Sequence, residues 1–324
     1  MLASGEAKRR APGRQIPNTG RLRGAQPLFL FLPLSFEGEG DTGGEVEEIG
    51  GDLMTNNKEA TLIASDGKPA ILLGPWAIEK LYYFKQYCEI FSTGMKNKWG
   101  HRIYIDLFSG PGICITRDTG IEHYGSPIIS LNCKTPFTHY CFVDENKDFI
   151  ETLKDRTKDY QYNKTFINED CNYAIDELLT KLPKTNAIFF TFVDPYNFEI
   201  EFDSIKRLAE KRHMDLLITF HIGNLKRSIH RPSQKMTKFF PPLDWERLYR
   251  ASSGGDRIHE RILLSEYEAG LKQLGYKYFD DFILTHNIRN APLYYLIFAT
   301  KNERGKEFYS DISMRSRAGQ RRWF

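Results

Sequence analysis

Tyr104-Ile105-Asp106-Leu107-Phe108-Ser109-Gly110-Pro111-Gly112 decides the fold. A short apolar strand, Ile103-Tyr104-Ile105, runs into an acid and then into a turn with two glycines one residue apart. Glycines at such a turn let the backbone approach a ligand closely. The pattern does not complete the nicotinamide-dinucleotide fingerprint, because Ile115 occupies the third glycine position, and an NAD-dependent oxidoreductase fails on that residue.

Working outward, strands and helices alternate. Upstream, a helix from about Trp76 to Met95 carries Leu81, Phe84, Cys88, Phe91 and Met95 at three- and four-residue steps, which gives it one inward face. Downstream come strands at Tyr140–Val143, Lys164–Asn168, Ala187–Val193 and Leu216–Phe220, with helices around Phe149–Leu153 and Ala174–Leu179. Ala187–Val193 is nearly all apolar, as a strand covered on both faces should be. A helix from about His259 to Leu274 ends at Gly275, a natural cap, and strands at Asp281–Thr285 and Leu293–Ala299 follow. The order predicts an α/β fold: a doubly wound, mostly parallel seven-stranded sheet with helices on both faces. The last two strands are joined too tightly for a parallel crossover, so that pair is predicted antiparallel.

Four strands end in acid: Asp106, Asp144, Asp170 and Asp194. Ligands of doubly wound sheets bind beyond the carboxyl ends of the strands. Several carboxylates around one crevice favour a ligand with hydroxyls, amines or positive charge. The 38 residues from Asp106 to Asp144 exceed the roughly 20 of a simple dinucleotide unit. The excess is Ile113–Tyr124, a polar segment that either covers the ligand or is a solvated excursion. The helix after it is predicted to begin with Ser126 as N-cap and Pro127 in the first turn.

Composition sets the outer limits. Of 324 residues, 41% are hydrophobic and 27% charged, which excludes a fully disordered chain. No stretch is apolar for long enough to span a membrane. The five cysteines, Cys88, Cys114, Cys133, Cys141 and Cys171, form no C-x-x-C pair, so neither a metal site nor a disulfide framework is expected, and a cytoplasmic location is. Residues 1–53 differ from the rest. A basic cluster (Lys8, Arg9, Arg10, Arg14) precedes an apolar run, Leu28–Leu34, which is broken by Pro33 and leads into no cleavage site. The segment is read as a disordered or non-native extension with Met54 as the true start; without it the net charge rises from +3 to +5.

The acidic strand end feeding G-x-G resembles the S-adenosylmethionine turn of class I methyltransferases. The resemblance implies donor contacts from Asp106, Phe108, Ser109, Gly110 and Gly112, with Asp144 on the ribose hydroxyls and Asp170 near the adenine amine. Asp194-Pro195-Tyr196-Asn197 resembles the D/N-P-P-Y/F signature of methyltransferases acting on exocyclic amines of nucleobases, with the second proline missing. Such amines are poor nucleophiles. A carboxylate and a backbone carbonyl accepting their N–H bonds turn the lone pair toward the donor, and a tyrosine face stacks on the base. That makes Asp194, Pro195 and Tyr196 the candidate catalytic residues.

Trp76-Ala77-Ile78-Glu79-Lys80-Leu81, the Tyr104–Gly112 turn, Gly125-Ser126-Pro127, Phe142-Val143-Asp144, Phe192–Tyr196, Gly223-Asn224 and Phe239-Phe240 occur in an order similar to that of the three-Cys-motif partner protein family, TcmP. The likeness covers about residues 70–250. It implies one class I methyltransferase-like domain over residues 54–324 and a partner, a radical-SAM-like protein of the phage Gp37/Gp68 type that carries the three-Cys motif. Two readings stand: a methyltransferase of a nucleobase amine in DNA or RNA, and a non-catalytic subunit that docks this partner.

Between Asp215 and Asp244 there is no acid, while Lys226, Arg227, Arg231, Lys235 and Lys238 accompany Phe220, Phe239 and Phe240. A basic loop with aromatics suits a nucleic-acid backbone and an unstacked base, and equally a solvated face. The basic tail, Arg315, Arg317, Arg321 and Arg322, either extends that patch or frays. His221 and His230 stand at no metal-ligand spacing.

Overall fold

Ala187–Val193 and Met214–Phe220 are buried at every position, which is the signature of strands covered on both faces. They lie inside a seven-stranded mixed sheet. The computed structural model describes residues 61–74, 77–211, 213–229, 232–251, 256–279, 283–286 and 292–313. Its elements in chain order are β1 (Thr61–Ile63), β2 (Pro69–Leu73), α1 (Ala77–Met95), β3 (His101–Asp106), β4 (Ile113–Thr116), β5 (Glu122–Tyr124), α2 (Ser126–Leu131), β6 (His139–Asp144), α3 (Lys147–Arg156), β7 (Lys164–Asn168), α4 (Cys171–Lys181), β8 (Ala187–Val193), α5 (Phe202–Lys211), β9 (Met214–Phe220), α6 (Ile222–Ser228), α7 (Gln234–Phe239), α8 (Trp245–Ala251), α9 (Asp256–Gln273), β10 (Ile283–His286), β11 (Pro292–Ala299) and α10 (Glu303–Ser313).

The large sheet runs β10-β11-β9-β8-β3-β6-β7. The five strands from β9 to β7 are parallel, and β11 is antiparallel to both β9 and β10. Alternate residues of each strand feed two apolar layers. Phe190 and Phe192 of β8 face α1, packing with Phe84 and Tyr87. Phe189 and Val193 face the other layer, which takes Ile175 of α4, Ile205 of α5 and Tyr267 of α9. Gly275 adopts φ +87 just past α9, where the Tyr276 N–H returns to the Leu271 carbonyl at 3.3 Å and closes the helix end.

A second, four-stranded sheet, β1-β2-β4-β5, stands apart from the first. β2 runs parallel to β4, and β1 and β5 flank them antiparallel. The segment after the glycine turn lends Cys114 to the cleft wall and sends an exposed tip, residues 117–121, into solvent. It is a hairpin, β4–β5, whose Cys114 and Ile115 are buried. Its polar composition comes from the exposed tip, where Gly120 takes φ +65. The N-cap of α2 also differs from expectation. Gly125 caps the helix, and Ser126 begins it with its hydroxyl turned to Asp106. Residues 1–53, with Leu28–Leu34, and Met54 lie outside the described residues, as do Arg315, Arg317, Arg321 and Arg322.

Candidate functional site

Where β3 meets β6 on one side and β8 on the other, the order of the parallel strands reverses. Open α/β sheets bind ligands beyond the strand ends at such a point. A cleft of ≈ 400 Å³ opens there, within the roughly 300–1,000 Å³ of small-molecule sites. Phe108, Ser109, Gly112, Asp144, Asp170, Asp194 and Tyr196 all line it, and the second sheet adds Ile71, Leu73 and Cys114.

The glycine turn is shaped from behind. Gly110 and Gly112 have φ +58 and +88, where L side chains are strained. A Cβ at Gly110 would stand 2.6 Å from Ile71 Cδ1, and one at Gly112 would stand 2.9 Å from Leu153 Cδ1. The Gly110 N–H donates to Asp144 Oδ2 at 2.8 Å, and the Asn146 N–H donates to Oδ1 at 2.9 Å. This ties the turn to the end of β6. Burial raises the Asp144 carboxyl above its ordinary range against those two bonds. Each of its oxygens keeps acceptor capacity for a ligand hydroxyl. Ser109 is fixed by its N–H to the Val143 carbonyl at 2.9 Å. Its Oγ is buried and has no hydrogen-bond partner among the described residues. On a cleft wall, that hydroxyl is free to bond a water or a ligand.

Asp106 does not reach the cleft surface. It is fully buried, accepting from the Tyr104 hydroxyl at 2.7 Å and the Phe108 N–H at 3.3 Å. Burial pushes its pKa from 3.8 to about 7, opposed by bonds from Tyr104, Ser126 and Phe108. Asp106 and Gly110 thus shape the turn rather than its surface. Asp170 lines the cleft as N-cap of α4, accepting from the Asn172 N–H at 2.7 Å.

The other end is built from side chains. Lys80 Nζ donates to Asp194 Oδ1 at 2.7 Å and Oδ2 at 2.6 Å, with side-chain exposures of 9% and 21%. The ammonium stands 5.3 Å from the centre of the Tyr294 ring. Pro195 is buried, while Tyr196 is 49% exposed with its carbonyl held by Asn224 Nδ2 at 3.0 Å. Glu199 completes this end, accepting from the Asn197 N–H at 2.6 Å, and burial raises its carboxyl. Sequence reasoning missed Lys80 and Glu199. The signal for Lys80 was a lysine one helical turn before Phe84, on the apolar stripe of α1.

Of the five Lys and Arg in the basic interval, two have described side chains. Lys238 pairs with Glu201 at 2.7 Å and Lys235 is exposed; Arg231 and the Lys226 and Arg227 side chains lie outside the described residues. Phe220, Phe239 and Phe240 are core residues packed on Tyr267, so they offer no face to a base. Among the described residues, no group of three or more His, Cys, Asp or Glu could hold a metal, and no helix is long and apolar enough to cross a membrane.

No protein-family model matches the chain, and no curated protein matches it. Solved structures similar to it include an O-methyltransferase from Bacillus cereus in complex with SAH, at 9% identity and a TM-score of 0.41, covering 71% of this chain and 82% of that one. Protein LPL1258 from Legionella pneumophila is similar at 14% identity and a TM-score of 0.38, covering 50% of this chain and 74% of that one. TehB from Haemophilus influenzae is similar at 14% identity and 0.33, covering 65% and 60%. With scores this low, the fold assignment rests on the chain's own strand order.

Proposed function

We propose that the chain is an S-adenosylmethionine-dependent methyltransferase whose acceptor is an exocyclic amine of a nucleobase in DNA or RNA. The observation that carries this reading is the convergence of Ser109, Asp144, Asp170 and Asp194 on one cleft beside a turn of two positive-φ glycines. The antiparallel β11 beside β9 agrees with the class I methyltransferase resemblance, and the order of motifs suits the three-Cys-motif partner proteins.

The residues present fit such a donor. Asp144 has acceptor capacity for ribose hydroxyls, Asp170 for an amine, and the unpartnered Ser109 Oγ for a polar group. Ile71, Leu73 and Phe108 supply apolar walls. S-adenosylmethionine, when bound, supplies a methyl group on a sulfonium. The Asp194 carboxylate accepts the N–H of the acceptor amine and takes its proton after transfer, and the half-exposed Tyr196 offers a ring face to the base. Lys235, exposed beyond β9, is a described cation available to a phosphate backbone.

One observation favours the second reading, a non-catalytic subunit docking a three-Cys-motif radical-SAM-like protein. Lys80 already donates to both oxygens of Asp194, so the carboxylate meant for an acceptor is engaged by the chain itself. Methyl release with and without that partner separates the two.

Isothermal titration of the full chain with S-adenosylhomocysteine should show binding, and Asp144→Ala should lose it. No binding at millimolar ligand removes the proposal. Asp194→Ala should bind the donor yet transfer labelled methyl to a mixed DNA and RNA pool about 100-fold more slowly. Full transfer by that variant would reassign the acceptor site.

A further inference from the structure

We infer that Arg156 is the positioning residue that sets the donor end of the cleft, by bolting the second sheet to the glycine turn; this rests on the donor reading above. Arg156 is the last residue of α3, and its side chain is 4% exposed. Its Nε donates to Asp66 Oδ2 and its Nη2 to Asp66 Oδ1, both at 2.8 Å. Nη2 also reaches the Lys68 carbonyl at 3.3 Å. Nη1 donates to the carbonyls of Pro69 and Pro111, each at 2.7 Å. A guanidinium has five N–H donors, and here each has an acceptor.

The acceptors belong to two separate stretches of chain. Asp66, Lys68 and Pro69 form the turn that leads into β2, whose Ile71 and Leu73 wall the cleft. Pro111 lies between the two turn glycines and lines the same cleft. Ile71 touches the turn as well, but an apolar contact is non-directional and lets the wall slide. The planar fork of Arg156 fixes distance and angle together. The neighbouring Asp155 adds an ion pair to Lys68, which holds the same turn from the side. The Arg156 guanidinium holds the Asp66 carboxyl below its ordinary value, in keeping with a formed pair. A lysine at 156 offers three donors from one nitrogen and cannot reach both proline carbonyls while chelating Asp66.

The test is S-adenosylhomocysteine affinity of the full chain by titration calorimetry, with far-UV circular dichroism and melting temperature measured alongside. Arg156→Lys should keep the wild-type far-UV spectrum, melt a few degrees lower and bind about ten-fold more weakly, because a wall out of place costs affinity in the folded chain. Asp66→Asn, which keeps the turn's shape and removes the charge, should bind about three-fold more weakly, and the double variant should be no worse than Arg156→Lys within about two-fold. A merely structural arginine would lower the melting temperature and leave the affinity of the folded chain unchanged. If Arg156→Lys does not fold, Asp66→Asn alone decides by its affinity. Binding by wild type that the folded variants keep within two-fold overturns this inference and leaves the donor reading standing. No binding by wild type overturns the donor reading and this inference with it.

Discussion

At the β3–β6 end of the cleft, acids are tied to backbone: Asp144 to the N–H groups of Gly110 and Asn146, Asp106 to that of Phe108. At the β8 end, Asp194 is tied to one ammonium. A backbone donor cannot leave without the turn unfolding, so the first end is rigid by construction. An ion pair exchanges partners by rotating a side chain, so the second end can trade Lys80 for an incoming N–H. A rigid end suits a ligand of fixed shape, and a tradeable end suits a proton-bearing acceptor.

The contrast can be broken by substitution. Gly112→Val should be the most damaging change. It puts a branched side chain at φ +88 with Leu153 Cδ1 2.9 Å from its Cβ, and strain plus overpacking should cost about 4 kcal/mol in urea denaturation. A cost below about 1 kcal/mol would mean the turn is not rigid. Lys80→Met strands a largely buried carboxylate and should cost about 3 kcal/mol. Lys80→Met with Asp194→Asn should recover more than half of that in a double-mutant cycle, and full additivity would show that the pair is not coupled.

Asp215 serves as a control at the opposite rim of the sheet, where the parallel strands begin. It is buried at the start of β9, accepting from the Tyr87 and Thr300 hydroxyls at 2.7 and 2.6 Å. Burial, opposed by those bonds, raises its pKa from 3.8 to about 6. A carboxyl raised on folding favours the native state below its unfolded pKa and loses that advantage as pH rises through the folded one. Wild type should therefore lose about 3 kcal/mol or less between pH 4 and pH 8 through this group. Asp215→Asn should flatten that part of the profile and leave S-adenosylhomocysteine affinity alone. A change in affinity would mean that the two rims of the sheet communicate. The smallest effect belongs to Asn146, whose side chain accepts from the N–H groups of Asp148 and Phe149 at the start of α3. Asn146→Ala should cost about 1 kcal/mol, read as a shift in the denaturation midpoint.

The central strands were legible because β8 and the Leu216–Phe220 part of β9 are nearly all apolar and because β3, β6 and β8 each run into an aspartate. The direction of β10 and β11 followed from the length of their connection. The second sheet escaped because its strands are three to five residues long, too short for alternation to stand out. Its central pairing, Ile71 to Cys114, also joins stretches far apart in the chain. Lys80 escaped for a similar reason, since its partner lies 114 residues away. Phe220, Phe239 and Phe240 were read by the charge around them, whereas their large apolar area sent them under Tyr267. The acids at strand ends were visible one by one. That Asp106 sits behind the cleft and Asp144 on it is a matter of tertiary depth, which spacing does not encode.

The parallel pairing of β2 with β4 has a bearing on assembly. The two strands are separated in the chain by α1 and β3. The pocket's lip is thus a joint between stretches distant in sequence, and bringing them together costs loop-closure entropy that neighbouring elements do not pay. Loosening that joint should shift the cleft wall of Ile71 and Leu73 while leaving the two central apolar layers packed.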